Sequence, residues 1–294
     1  MTLNERIYQD LIELLNKGKI ASAVPLENEF GISSRTIPQY FTGNRDAETV
    51  IVMLNPAGDT QKAENETMAK LVLYRQLGIT SFVNNVIGDN TNAGYVFADA
   101  MSDFDLKTAA FLSAWQDSGI NLPEGFYDPS KNAITENVVI RKIANHNCLQ
   151  QKLQLELLPF SSKNFEGVKM NDSRINLLRP YVETILDEIF RVERKYVIFA
   201  GDPFLNIFSS NDYKKNVAFV NSKQHIKLKK DDGHLMHNNV NCTPITIKYH
   251  NKQIKAIIAN SFASQSISKA LGIVRRYGEF CHSTYIHFNK NHTF

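Results

Sequence analysis

Four short, almost purely apolar segments constrain the fold of this chain most strongly. They cover residues 49–54 (TVIVML), 153–158 (LQLELL), 195–201 (KYVIFAG) and 254–259 (IKAIIA). Apolar runs of this length are typical of strands that are buried on both faces of a sheet. Segments with helical spacing, such as residues 173–194, separate them. This alternation predicts an α/β fold, a three-layer sandwich in which helices flank a mainly parallel central sheet.

Smaller elements are predicted around this sheet. Apolar residues at helical spacing over residues 3–16 predict a packing helix that ends at Gly18. Ser173 is the candidate cap of the helix between the second and third strands. Residues 245–258 (ITIKYHNKQIKAII) predict a hairpin that turns at Asn251, so one neighbour in the sheet is antiparallel.

We expect a single domain, residues 1–294, that begins with a helical segment at residues 1–35. Residues 84–150 hold an amphipathic helix between Asn/Gly-rich and Pro/Gly-rich stretches, which predicts an insertion on the rim of the sheet. Residues 26–41 (LENEFGISSRTIPQYF) have the spacing of a helix-turn-helix, but Pro38 would remove a backbone hydrogen bond from its recognition helix. We therefore expect an extended approach to the first strand at this point.

The composition limits the classes of function. The three cysteines, Cys148, Cys242 and Cys281, are odd in number and far apart, which argues against a disulfide framework and fits a reducing, cytoplasmic setting. No run approaches the roughly 20 apolar residues of a membrane helix, so we expect no membrane partner. The net charge of +3 only slightly favours a polyanionic partner such as nucleic acid. No obligate protein partner is evident.

The first predicted strand ends in an unusual loop, Asn-Pro-Ala-Gly. In an open parallel sheet, the loops that leave the carboxyl ends of the strands carry the chemistry. Pro56 would stiffen this loop and Gly58 would allow close approach of a ligand, so the amide of Asn55 would be held on a rigid platform. The alternative is that these residues form an ordinary turn.

Four segments together resemble the motifs of the uracil-DNA glycosylase superfamily. Residues 50–58 (VIVMLNPAG) are similar to its first motif, a strand that ends in Asn-Pro-Gly or Asn-Pro-x-Gly. Residues 153–164 (LQLELLPFSSKN) and 196–208 (YVIFAGDPFLNIF) resemble its second and third strands. Residues 257–267 (IIANSFASQSI) stand in the place of its closing motif. The resemblance covers most of residues 40–280 and implies the α/β fold of that superfamily, with DNA as the partner and no cofactor or metal.

The chain departs from the superfamily pattern at two places. Leu54 stands where those families usually have glycine, and Ser261 with Phe262 replaces the usual proline and serine of the closing motif. The closing motif is therefore the weaker part of the resemblance.

The resemblance implies an enzyme that hydrolyses the N-glycosidic bond of a flipped nucleotide and leaves an abasic site. Asn55 would position the attacking water, with Asp59 as an alternative water activator. Asn260 would donate a hydrogen bond to the base as negative charge develops there. Phe82, Tyr74 or Phe97 would be the aromatic ring on which the base stacks, and Pro56 and Gly58 would form the loop that approaches it.

Glu156 indicates which base is removed. Uracil-reading members have an asparagine at the end of the second strand, whereas an ionised carboxylate only accepts hydrogen bonds and favours a base with an amino group. We therefore expect a modified cytosine-type base, as removed by superfamily members that act in defence against phages. The alternative is that Glu156 faces solvent. Two other functions stay open: a uracil or thymine-mismatch repair glycosylase, and a non-catalytic binder of modified or damaged DNA.

Polar and basic residues at and after the closing motif are the candidate DNA contacts. They are Ser261, Ser264, Gln265, Lys269, Arg275 and Arg276. A second basic run, His225, Lys227, Lys229 and Lys230, lies upstream. The alternative for each cluster is a solvated face.

A zinc site is a further possibility. Its ligands would be His225, His234, His237 and Cys242, but the spacing lacks the repeated pair of ligands that structural zinc sites use. We therefore predict no metal.

Overall fold

The structure is a computed structural model that describes residues 1–56, 58–87, 103–128, 133–162, 169–220, 224–229, 233–236, 239–261 and 271–291. The chain forms two compact units. Unit 1 comprises Met1–Thr42, Val52–Tyr95 and Gln154–Glu193, and unit 2 comprises Gly43–Ile51, Val96–Leu153 and Arg194–Phe294.

Nine α-helices and one short 3₁₀ helix are present in the described residues. The helices are α1 (Leu3–Lys17), α2 (Val24–Phe30), α3 (Thr60–Leu77), α4 (Ile79–Ile87), α5 (Asp103–Ser113), α6 (Val138–Gln151), α7 (Asp172–Ile189), α8 (Pro203–Ser209) and α9 (Leu271–Asn291), with the 3₁₀ helix at Ala21–Ala23. None of these helices has the length and apolar character of a membrane span.

The described residues form ten strands. They are β1 (Phe41–Gly43), β2 (Thr49–Met53), β3 (Tyr127–Asp128), β4 (Ala133–Ile134), β5 (Lys152–Glu156), β6 (Tyr196–Ala200), β7 (Val217–Phe219), β8 (Gln224–Ile226), β9 (Val240–Tyr249) and β10 (Lys252–Ala259). Eight of them form one sheet in the order β1-β5-β2-β6-β10-β9-β7, with β8 paired to β9, while β3 and β4 form a separate small hairpin.

The sheet is mixed, which corrects the prediction of a mainly parallel sheet. Strand β10 is parallel to β6, but β9 is antiparallel to β10, and both β7 and β8 are antiparallel to β9. The sequence predicts only one antiparallel neighbour, because β7 and β8 are three residues long and partly exposed and so lack a recognisable apolar pattern. The α/β class itself is confirmed, with helices and a central sheet as expected.

Strand β2 contributes its first residues to unit 2 and its last residues to unit 1. In unit 2, the carbonyl of Glu48 accepts hydrogen bonds from the backbone N–H groups of Lys195 (2.8 Å) and Tyr196 (3.1 Å). In unit 1, the carbonyl of Met53 accepts from the N–H of Leu157 at 2.8 Å. All five residues of β2 are buried, as the apolar run predicts.

Unit 1 is organised around α1, whose predicted extent is confirmed. Thr2 and Glu5 form a capping box at its first turn, and Gly18 ends it with a φ of 69°, a conformation that glycine adopts without strain. Its buried apolar residues recur at helical spacing: Leu3, Ile7, Leu11, Leu14 and Leu15.

The segment between α2 and β1 contains no recognition helix. After Gly31, residues 32–40 contain turns and extended backbone and lead into β1, as Pro38 predicts. One detail of the prediction is wrong: Asn171, not Ser173, caps α7, because its side chain accepts a hydrogen bond from the N–H of Arg174.

Unit 2 contains the predicted hairpin between β9 and β10. The turn residues His250 and Asn251 have φ values of 45° and 62°, the left-handed conformation that two-residue hairpin turns require. The register pairs Tyr249 with Lys252 and Cys242 with Ala259, so the paired strands are eight residues long.

A close helix crossing in unit 2 gives the first testable prediction. A Cβ atom at Gly278 of α9 would lie 2.3 Å from the backbone oxygen of Phe111 in α5, so any side chain there forces the helices apart. We expect Gly278→Ala to lower the free energy of unfolding by about 1 to 3 kcal/mol. Urea denaturation of the variant measures this effect. Gly233→Ala is the comparison: unlike Gly278, Gly233 has nothing within 4 Å of an added Cβ atom, but its φ is 83°, so only backbone strain should destabilise this variant.

Candidate functional site

Asn55 follows β2 with one residue between, and its amide has a defined orientation. The Nδ2 atom donates to the carbonyl oxygen of Pro56 at 3.0 Å and to that of Phe160 at 3.5 Å. Both neighbours are acceptors, so the amide nitrogen must face them and the Oδ1 atom must point away. Within the described part of the chain, Oδ1 accepts no hydrogen bond. Asn55 therefore presents a fixed acceptor on a partly exposed side chain.

A second loop in unit 1 holds the Asn55 loop in place. The N–H of Ser162 donates to the carbonyl of Pro56 at 3.3 Å, and its hydroxyl donates to the carbonyl of Phe30 at 3.1 Å. Ser162 also forms an isolated bridge with Ile32. The loop after β5 thus connects the Asn-Pro turn to the residues that follow α2, which makes the Asn55 platform rigid.

Gly58 and Asp59 have simpler roles in the structure than the sequence predicts. Gly58 is exposed, and a Cβ atom there would make only ordinary contact with Ser161, at 3.8 Å. The Asp59 carboxylate caps α3 by accepting hydrogen bonds from the N–H groups of Gln61 (2.9 Å) and Lys62 (3.3 Å). A carboxylate that caps a helix is held at that helix rather than folded back toward Asn55.

Glu156 is the last residue of β5, next to β2 in the sheet, at the position predicted for a base-reading side chain. However, it is only 7% exposed, which excludes the solvent-facing alternative. Its Oε1 atom accepts a hydrogen bond from Nε2 of Gln154 at 2.7 Å, two residues earlier on the same face of the strand. A cavity of about 10 Å³ beside it, lined also by Tyr40 and Tyr181, has room for about one water molecule and none for a base.

The two described aromatic candidates for base stacking pack against each other. The rings of Tyr74 and Phe82 are stacked with centroids 4.9 Å apart, and their exposed fractions are 8% and 0%. They connect α3 to α4 in the core of unit 1, so neither offers a free face to a flipped base in this conformation. Phe97, the third candidate, lies outside the described residues.

Asn260 follows β10 in unit 2, and its hydrogen bonds connect the segments that contain Asn241, Asp202 and Tyr277. Its Oδ1 atom accepts from the N–H of Asn241 at 2.6 Å, and its Nδ2 atom lies 3.5 Å from a carboxylate oxygen of Asp202. Its backbone N–H donates to the hydroxyl of Tyr277 at 2.5 Å, and that hydroxyl donates to the carbonyl of Asn241 at 2.6 Å. Burial raises the pKa of Tyr277 well above its usual value, so the hydroxyl stays protonated and able to donate.

Asp202 was not singled out from the sequence. It follows β6 with Gly201 between, is exposed, and makes no capping hydrogen bond to α8. Among the described residues, the Nδ2 group of Asn260 donates to the carboxylate of Asp202. The signal was present, because Ala-Gly-Asp-Pro follows a buried apolar strand just as Asn-Pro-x-Gly follows β2.

Removing the Tyr277 hydroxyl gives a second testable prediction. In Tyr277→Phe, the buried N–H of Asn260 and the carbonyl of Asn241 both lose their partner, and we expect a loss of about 1 to 3 kcal/mol in the free energy of unfolding. Urea denaturation measures this loss, with Tyr8→Phe as the control because Tyr8 is 45% exposed. Equal stability of the two variants would show that the Tyr277 hydroxyl does not hold Asn260.

The structure describes three of the predicted DNA contacts. Ser261 is partly exposed. On α9, Arg275 pairs with Glu279 at 3.7 Å, and Arg276 donates to the carbonyl of Lys229 at 2.6 Å. The other predicted contacts, Ser264, Gln265 and Lys269, lie outside the described residues, as does Lys230 of the basic run.

The described residues contain no group of three side chains that could hold a metal ion. Cys242 is fully buried and its thiol lies against that of Cys281, whereas His225 is exposed and its ring contacts Asn241. A further candidate zinc ligand, His237, lies outside the described residues.

Comparison of the chain with known proteins finds no matching family model and no matching curated protein.

Proposed function

We propose that this chain is a DNA glycosylase that hydrolyses the N-glycosidic bond of a flipped nucleotide. The observation that supports the proposal best is the orientation of the Asn55 amide: its nitrogen is bound to two backbone carbonyls, and its oxygen is left as an acceptor. A water molecule that donates one hydrogen to this oxygen would have its own lone pairs turned away from Asn55, ready to attack a sugar carbon.

Asn55 is a weak base, so its contribution is orientation. The positive charge on the sugar in the transition state would be stabilised mainly by electrostatics, including that of the DNA phosphates. A rigid platform serves this role because a displacement of about 1 Å costs on the order of 100-fold in rate. The hydrogen bonds from Ser162 to Pro56 and Phe30 supply this rigidity.

We propose further that the substrate is a modified cytosine-type base, with a role in defence against phages. This narrower proposal comes from the sequence, where a glutamate stands at the strand end that carries asparagine in uracil-reading members. In the structure the Glu156 carboxylate is buried and bound to Gln154, so direct contact with the base requires that substrate binding breaks this hydrogen bond and uncovers the end of β5.

Abasic-site formation tests the proposed reaction. We expect DNA containing the substrate base to break on heating in alkali after incubation with the protein, and to stay intact after incubation with Asn55→Ala. If DNA is bound but no alkali-sensitive site forms on uracil-containing, mismatched or sugar-modified DNA, the chain is a non-catalytic binder instead.

A further inference from the structure

A cleft in unit 2 is lined by residues of α5, of the 122–127 segment and of α9, and of these residues only Arg275 and Arg276 are also candidate DNA contacts. Its volume is about 270 Å³, just below the range of about 300 to 1,000 Å³ that is usual for small-molecule sites. It opens between α5, residues 122–127 and the start of α9. A site of this size holds a ligand with one ring and a few substituents.

The cleft has an apolar and partly aromatic floor. Ala110 of α5 and Phe126 are both 2% exposed, so they form its base, and the partly exposed Leu122 and Tyr127 form its sides. Tyr127 is held by the small hairpin, in which it pairs with Ile134. A flat apolar group would be removed from water on such a floor, and a ring could stack on Tyr127.

The opposite wall of the cleft is charged. Arg275, Arg276 and Glu279 all project from the first part of α9. The carbonyl of Lys229 accepts a hydrogen bond from the guanidinium of Arg276, whereas Arg275 is 61% exposed and forms a loose ion pair with Glu279 at 3.7 Å. Arg275 and Arg276 are adjacent in sequence, and Glu279 is the one carboxylate among the residues that line the cleft, so this wall carries a net positive charge. An anion bound at this wall would reduce the repulsion between the two guanidinium groups.

We propose that this cleft binds a pyrimidine nucleotide, either free or within a single strand of DNA. The ring lies on the apolar floor against Tyr127, and the phosphate lies at Arg275 and Arg276. The Glu279 carboxylate accepts a hydrogen bond from an amino group, which favours cytosine over thymine. This binding does not depend on the proposed reaction.

Calorimetric titration of the full chain with dCMP, with an eight-residue oligodeoxycytidine and with inorganic phosphate tests the proposal. We expect dCMP or the oligonucleotide to bind, and Arg275→Glu and Tyr127→Ala each to weaken that binding by about tenfold or more. The matched control is Lys62→Glu, which makes the same charge change in another exposed i,i+4 pair with glutamate and should bind as the native chain does.

Each possible result of the titrations either supports or overturns the proposed nucleotide site. Binding of dCMP indicates a free nucleotide as ligand, and binding of the oligonucleotide alone indicates a DNA strand. The proposal is overturned if neither binds, if inorganic phosphate binds as tightly as dCMP, or if Arg275→Glu or Tyr127→Ala leaves the affinity unchanged. Circular dichroism of both variants verifies that a loss of binding is not a loss of folding.

Discussion

Replacing Asn55 by alanine is expected to lower the rate of base release by at least about 100-fold. The dissociation constant for DNA should change little, because Asn55 is proposed to orient a water molecule and to bind no phosphate. The rate falls because the water loses the one acceptor that orients it, not because substrate binding is lost. Single-turnover measurement of abasic sites, together with fluorescence anisotropy of labelled DNA, separates these two quantities.

Two further variants make this prediction specific. Asn55→Asp replaces the amide nitrogen by an oxygen that would face the carbonyls of Pro56 and Phe160, so the side chain would turn away and the rate should fall as well. Asn44→Ala is the matched control, since Asn44 also donates to a backbone carbonyl, that of Gln150 at 3.1 Å, but has no proposed role in the reaction. A native rate in Asn55→Ala, or an equal loss in Asn44→Ala, would contradict the role given to Asn55.

Replacing Arg6 by methionine is expected to lower the free energy of unfolding at pH 7 by about 3 kcal/mol or more. The reason is that the buried carboxylate of Asp10 loses the positive charge of Arg6. Arg6 is 5% exposed, lies 4.1 Å above the ring of Tyr181, and donates to the hydroxyl of Tyr40 at 3.1 Å. That hydroxyl in turn donates to the carboxylate of Asp10 at 2.5 Å. Urea denaturation of the variant measures the loss.

The pH dependence of stability should identify Asp10 as the source of this loss. Burial raises the pKa of Asp10, so the folded chain holds this proton more tightly than the unfolded chain does. Stability therefore falls as the pH rises from below the unfolded pKa through the raised folded pKa. Without Arg6 the folded pKa should rise further, and the deficit of Arg6→Met should be largest at pH 7 and shrink toward pH 4. The double variant Arg6→Met, Asp10→Asn should recover much of the loss at pH 7; a deficit independent of pH would contradict this account.

The elements that could be predicted from the sequence are those with a strong periodic signal. Strands β2, β5 and β6 are buried throughout, β10 is buried over its last four residues, and these buried segments appear as apolar runs. Helix α1 shows one apolar face and a glycine stop, and the turn at Asn251 has a residue that tolerates the left-handed conformation. These features arise from neighbouring residues along the chain, so the sequence displays them directly.

Features that depend on distant partners could not be predicted. Whether Glu156 faces solvent or the interior depends on the packing of α1 and α7 residues near it, such as Leu3 and Tyr181, which no local pattern reveals. The orientation of the Asn55 amide depends on the carbonyl of Phe160, 105 residues later in the chain. The capping role of Asp59 had a local signal, since an aspartate before a helical segment is a common N-cap. The resemblance instead predicts Asp59 to be an alternative activator of the attacking water.

The most direct test of the account is mass spectrometry of the free bases released when the full chain is incubated with ordinary, uracil-containing and phage-modified genomic DNA. The account predicts a free base from one of these DNAs, with a modified cytosine as the expected product, and none from the same DNA with Asn55→Ala. If the native chain releases no base from any of them while binding DNA, the chain is not a glycosylase, and the Asn55 platform serves only to hold the loops that follow β2 and β5.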